Sequence, residues 1–224
     1  MFRLNSPALN VRNFYGARFL GLLCLVFLFF CCAGISDGDA ADYEDEMVHQ
    51  QSKTKEKVQE AFAYCKEKGF NTNLCILIDM GVHSGKNRLM LWDLRSDSLL
   101  YSCLVSHGCG RHPWSADASK ESPTFSNENG SHLSSLGKYK IGERGYSSWG
   151  VHVKYLLHGL EASNSRALAR TIVFHSWDDI PEEEPYPAGT PEGWGCPAVS
   201  NASFRRIDPY LRQSGKPVLM WIYN

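Results

Sequence analysis

The sequence predicts a mainly β domain, a sandwich or distorted barrel carrying a few short helices and one N-terminal helix. Many short apolar runs separated by turn residues point that way, as do the scarcity of helical spacing and the absence of any internal repeat. From Asp42 to Lys68 the text is polar, with Val58, Ala61, Phe62 and Cys65 at helical spacing and Gly69 as a stop. Leu74–Ile78 then forms a continuous apolar run, and Asn87–Leu94 and Ser98–Val105 read as further strands. Ser84–Gly85 and Ser96–Asp97 supply turns. Ser106 to Ser135 is rich in Gly, Ser, Asn, His and Pro, a long loop of the kind that carries function. Lys138–Glu143 and Val151–Gly159 read as strands, and Ser163–Arg170 as a short helix capped by Ser163 or Asn164. Ile172–Phe174 is an apolar strand that delivers His175 at its end. A helix over Asn201–Gln213 and a strand over Pro217–Tyr223 finish the chain.

Ahead of this domain, Arg3, Arg12 and Arg18 precede an apolar run of 14 residues, Phe19–Cys32, followed by the small or polar Ala33–Ser36. Basic flank, short apolar stretch and small-residue exit describe a secretory signal peptide, and a membrane-spanning helix needs about 20 residues. The expected organisation is a signal peptide and polar exit over 1–41, a helical segment over 42–69, and the main domain over 70–224. Export to the periplasm or cell envelope follows, with membrane contact only through an uncleaved signal. The 224 residues carry a net charge of −1, from 23 basic and 24 acidic side chains. No basic field exists to hold phosphates, which argues against a nucleic-acid partner. Three of the eight cysteines fall in the signal. The remaining Cys65, Cys75, Cys103, Cys109 and Cys196 are odd in number, which suggests one thiol kept free for chemistry.

A nucleophilic thiol needs a base, a group that orients the base, and N–H donors for an oxyanion. His175 at a strand end and Gly195–Cys196 on the returning loop offer that arrangement. Gly195 lets the main chain approach a carbonyl closely, and Pro197 fixes the next turn. A helix starting just after Cys196 would lower the thiol pKa through its macrodipole. By spacing alone the pair also fits a buried structural cysteine and a satisfied histidine.

His175, the 17 residues after it and Gly193–Trp194–Gly195–Cys196 resemble the murein L,D-transpeptidase catalytic-domain signature, a histidine followed by Ser/Thr-His-Gly-Cys. The resemblance runs from about Tyr64 to Asn224. It is carried by Leu104–Gly110, Ser131–His132, Ser135–Gly137, Gly159–Glu161, Asn164–Ser165, Arg170–His175 and Gly195–Ala198. It implies an L,D-transpeptidase-like sandwich or distorted barrel and acyl transfer on peptidoglycan stem peptides. Cys196 would be the nucleophile, His175 the base, the Ser176 carbonyl the orienting group and Gly195 part of the oxyanion turn. His107, Trp177, Gly193 and Trp194 are the expected substrate contacts, and neither cofactor nor metal is implied. Gly193–Trp194 replaces Ser/Thr-His, and Ala198 stands where the family has Asn or Arg, so substrate contacts there should differ. Hydrolysis of the same stems, or a non-catalytic cell-wall-binding module, are the competing expectations.

Ser106–His107–Gly108–Cys109 spells the tetrapeptide literally, yet no histidine stands at the matching distance upstream, and His83 lies in an expected turn. Cys109 is therefore read as structural or cleft-lining. His152 and His158 lack a third ligand at recognisable spacing and read as ordinary histidines. Asp178, Asp179, Glu182, Glu183, Glu184 and Glu192 crowd the loop between base and nucleophile. They read as a solvated charge run that can also attract a cationic amine.

Overall fold

The computed structural model describes the main chain from residue 37 and side chains from residue 48, through Asn224. The proposed signal peptide lies outside these residues. No helix of the described residues is long and apolar enough to cross a membrane.

The run Leu74–Ile78 becomes β1 (Leu74–Asp79), whose six residues are all buried. Alternate side chains of a strand face opposite sides, so a continuous apolar run requires cover on both. Ile76 and Ile78 enter one apolar cluster with Phe204, Ile207 and Leu211 of α2 (Asn201–Arg212). Cys75 and Leu77 enter another with Val58, Ala61 and Cys65 of α1 (Asp37–Lys68). Each fully buried Leu or Ile contributes roughly 1.5–3 kcal/mol. Asp79, fully buried, accepts from Lys53 at 3.1 Å, Gln50 at 2.8 Å and the Gly81 N–H, which anchors α1 over the end of β1. Residues 45–224 form one compact unit.

The other strands are β2 (Leu89–Asp93), β3 (Ser98–Cys103), β4 (Gly137–Tyr146), β5 (Val153–Gly159), β6 (Val173–Ser176), β7 (Ala198–Val199) and β8 (Leu219–Tyr223). They join in one sheet of order β3-β2-β1-β8-β4-β5-β6-β7. β1 runs parallel to β8 and β6 parallel to β7; the other neighbours are antiparallel. The chain leaving β3 then crosses to the far edge. The Ser106 N–H donates to the Ala198 carbonyl at 2.9 Å, the Ala198 N–H to Ser106 Oγ at 3.1 Å, and Gly108 bridges Gly193. This strap, residues 104–109, leaves the sheet nearly closed and barrel-like, as the sequence predicts.

One expected helix is absent. In place of a helix over Ser163–Arg170 there is a single 3₁₀ turn, Ala162–Asn164. Asn164 turns its side chain inward, accepting from the Glu161 N–H and donating to the Lys138 carbonyl, both at 2.9 Å. Such local bonds compete with helix propagation.

The strap is held by buried charge. Arg88, 1% exposed, donates to the carbonyls of Val82 and Val105 and, at 2.8 Å, to His107 Nδ1. His107 Nε2 lies 2.8 Å from Ser119 Oγ and 3.5 Å from Glu192 Oε1. Glu192 also accepts the Ser119 N–H at 2.5 Å. Removing one partner of a buried charged network costs about 3–5 kcal/mol, because the remaining groups stay desolvated and unpaired. Arg88→Met should lower stability by that amount in urea unfolding. A loss below about 1 kcal/mol would show that the network does not hold the strap.

Candidate active site

β6 sits between β5 and β7, with His175 opposite Lys154 on one side and opposite Ala198 on the other. Carrying the parallel register back two residues sets Cys196 beside Val173, and the Val173 N–H points at Cys196 Sγ from 3.4 Å. Cys196 therefore lies against β6, two residues along from His175, with its side chain packed on the main apolar cluster. Among the described residues, the thiol's hydrogen bonds run to the main chain, from Val173 N–H and to the Thr171 carbonyl at 3.7 Å, not to His175.

The His175 ring is held by the main chain. His175 Nδ1 lies 2.9 Å from the Ser176 carbonyl, which sets the Nδ1–H tautomer and leaves Nε2 as acceptor. Ser176 is itself fixed: its Oγ accepts the Val151 N–H at 2.9 Å, and a Cβ on Gly150 would collide with it. Gly195 has φ +96°, and a Cβ there would strike the Leu133 carbonyl oxygen. Glycine is required at this turn by both conformation and space.

The electrostatics differ from the sequence expectation. α2 does not begin at Cys196; Ser200 caps it through the Ser203 N–H, and β7 intervenes, so the macrodipole does not reach the thiol. Burial raises the Cys196 thiol pKa, a rise only partly countered by the Val173 N–H, Arg170 and Lys154. Burial lowers the His175 pKa against the Ser176 carbonyl, and Lys154 adds to the lowering. Both shifts favour the neutral thiol–imidazole pair over the ion pair.

Arg170, not singled out by sequence as a site residue, clamps the long loop beside the thiol. It donates to the carbonyls of Ser126 (2.8 Å) and Leu133 (2.5 Å) and to the hydroxyls of Ser131 (3.3 Å) and Ser135 (2.5 Å). The signal that could have found it was a lone arginine opening the Arg170–His175 run. Trp194 is 61% exposed and stacks on His132 with centroids 5.0 Å apart, where the two rings line a pocket of about 350 Å³ with Arg170. A larger cleft of about 800 Å³ runs past His132, Leu133, Arg111 and His112. Gly193 donates to the His107 carbonyl and accepts from the Cys109 N–H, both at 2.8 Å.

Several expected site residues are placed elsewhere. His107 is buried at 1% exposure inside the Arg88–Glu192 network, so its ring does not face solvent. Trp177 is 4% exposed, packed in a small cluster with Leu104, Ile180 and Ala198. The Ser106–Cys109 tetrapeptide is the closing strap, and burial raises the Cys109 thiol pKa. Glu192 is buried rather than part of a solvated acidic run. Burial pushes its pKa up, but His107 and the Ser119 N–H outweigh that and hold it below the ordinary value. Glu184 is tied to the Asn87 N–H at 2.8 Å and Asp178 to Asn201 at 2.8 Å. All five described cysteines are free thiols, so an odd count does not single out Cys196. His158 pairs with Glu143 at 3.0 Å, and His152 stacks on Tyr146.

The L,D-transpeptidase catalytic domain, as a family, matches residues 46–222. No curated protein matches the chain. Among solved structures it is similar to the L,D-transpeptidase of Xylanimonas cellulosilytica DSM 15894, at 12% identity and TM-score 0.38, over 72% of this chain and 68% of that one. It is similar to the helical cell shape determining protein Pgp2 of Campylobacter jejuni at 11% identity and TM-score 0.42, over 66% and 46%. Bd1075 of Bdellovibrio bacteriovorus follows at 15% identity and TM-score 0.38, over 69% and 49%. The chain thus spans about half the length of the last two.

A neutral resting pair makes a pH prediction. Cys196 should alkylate with an apparent pKa above the free-thiol value of about 8.5. His175, with its pKa lowered, should remain an unprotonated base below its ordinary value of about 6.5, so acylation should persist to mildly acidic pH. Iodoacetamide rates and acylation rates across pH 5–10 would check both. A thiol titrating well below the free value would instead show a preformed ion pair.

Proposed function

The chain belongs to the L,D-transpeptidase catalytic-domain family, and from that premise we propose that it is an exported cysteine acyl-transferase acting on peptidoglycan stem peptides. The observation that carries the reading is the seating of Cys196 against β6, the strand that bears His175, with the ring held by the Ser176 carbonyl. The Cys196 thiol gives its proton to His175 Nε2 as sulfur attacks the carbonyl between the third, L-centred residue and the terminal D-alanine. The oxyanion faces main-chain N–H groups of the Gly195–Cys196 turn. As the C–N bond breaks, His175 returns the proton to the departing D-alanine amine, leaving a thioester on Cys196. An amine of a neighbouring stem then attacks the thioester, with His175 accepting its proton; as the C–S bond breaks, His175 passes that proton to the departing Cys196 sulfur, which releases the crosslink and restores the thiol. Water in the same place gives a trimmed stem.

Because the resting pair is neutral, transfer and attack are coupled, and the base matters at every pH where the thiol is protonated. His175→Ala should slow acylation by about 10²–10⁴-fold, the usual worth of a positioned general base. Cys196→Ala should form no thioester, whereas Cys109→Ala should still form one. Intact-mass analysis with a stem tetrapeptide reads the thioester, and mass spectrometry of muropeptides reads crosslinked against trimmed product. An adduct that persists in Cys196→Ala and vanishes in Cys109→Ala would overturn the assignment.

A further inference from the structure

Three tryptophans distant in sequence meet beside the base strand. Trp177, two residues after His175, is nearly buried. Trp114, from the long loop, stacks on it at 4.9 Å between centroids and 28° between planes. Trp149, from the β4–β5 turn, lies 5.9 Å from Trp114 at 44° and edge-on to Trp177 at 6.3 Å. Trp114 and Trp149 remain 45% and 47% exposed. Around the buried inner ring, two large aromatic side chains therefore stay about half-exposed to water.

Both outer rings stand on rigid supports. The Trp149 carbonyl accepts the His152 N–H at 3.0 Å, the Trp149 N–H donates to Ser147 Oγ at 3.1 Å, and Val151 ties the turn to Ser176. Beside Trp114, the Ser115 N–H donates to the Glu192 carbonyl at 2.9 Å. A surface set in advance loses little entropy on binding. Exposed aromatic rings suit a ring whose C–H face is apolar and whose rim is hydroxylated. A pyranose has that shape, and a stem peptide is attached to a chain of such rings.

We infer that Trp114 and Trp149, seated on Trp177, bind an N-acetylhexosamine ring of the glycan strand that carries the stem peptide. The inference rests on the proposed peptidoglycan substrate. The platform would hold the glycan beside β6, through Trp177, two residues after His175.

The test uses the full chain carrying Cys196→Ala, so that binding is read without chemistry. Two probes are titrated by calorimetry: peptide-free peptidoglycan strands and N-acetylchitohexaose. Trp114→Ala and Trp149→Ala, each added to that chain, should weaken binding at least tenfold, and Trp149→Tyr should restore most of it. Their thermal midpoints exclude loss of fold. Binding of both probes would assign recognition to the shared N-acetylhexosamine, and binding of the strands alone to groups peculiar to peptidoglycan. No binding of either, or affinity unchanged in both alanine variants, would overturn the platform. Failure of thioester formation in the wild-type chain would overturn the proposed function instead, leaving a measured glycan site standing.

Discussion

Closure of the sheet by residues 104–109 is the constraint on which the site depends. An eight-stranded sheet with two free edges would leave β7, only two residues long, poorly supported. Ser106 supplies the missing partner from both its main chain and its hydroxyl, and the hydroxyl also donates to the Cys196 carbonyl at 3.3 Å. The strap thus fixes the Cys196 turn directly. Arg88, His107 and Glu192 bring the start of β2, the strap and the approach to Gly193 to one point. Their buried charges are tolerable because their bonds reach from one element to the next.

The same crowding shapes the chemistry. Packing the half-buried Cys196 between Thr171, Val173 and the Arg170-clamped loop disfavours the thiolate. Packing His175 between β5 and β7 disfavours its protonated form. Two desolvated neighbours resist charging, so the catalytic dyad is proposed to store no ion pair and to develop charge only as sulfur attacks. Donors already held at the Gly195 turn would then meet that charge without reorganising.

Loop length, which separates partners in sequence, is what assembles the surface around this pair. The segment between β3 and β4 contributes the strap, Trp114, His132 and the carbonyls that Arg170 grips. It is a long connection without strands of its own, yet it is bonded to β7, to Arg170 and to the turn before Cys196. It behaves as a wall of the site rather than as a free lid.

Periodicity and apolar runs determined most of the elements. Leu74–Ile78 demanded cover on both faces, the Asn201 helix carried its apolar stripe openly, and Ile172–Phe174 set His175 on a strand. These signals are local, since burial of one face follows from spacing along one element. The His175–Cys196 interval and Gly195 were legible for the same reason. Tertiary structure alone decided that His107 and Glu192 are buried partners of Arg88, that Cys109 belongs to a strap, and that Trp114, Trp149 and Trp177 form one platform. It also reversed the expected direction of the thiol pKa. Each of these outcomes turns on which groups arrive from far along the chain to exclude water, and desolvation has no signature in the residues that suffer it.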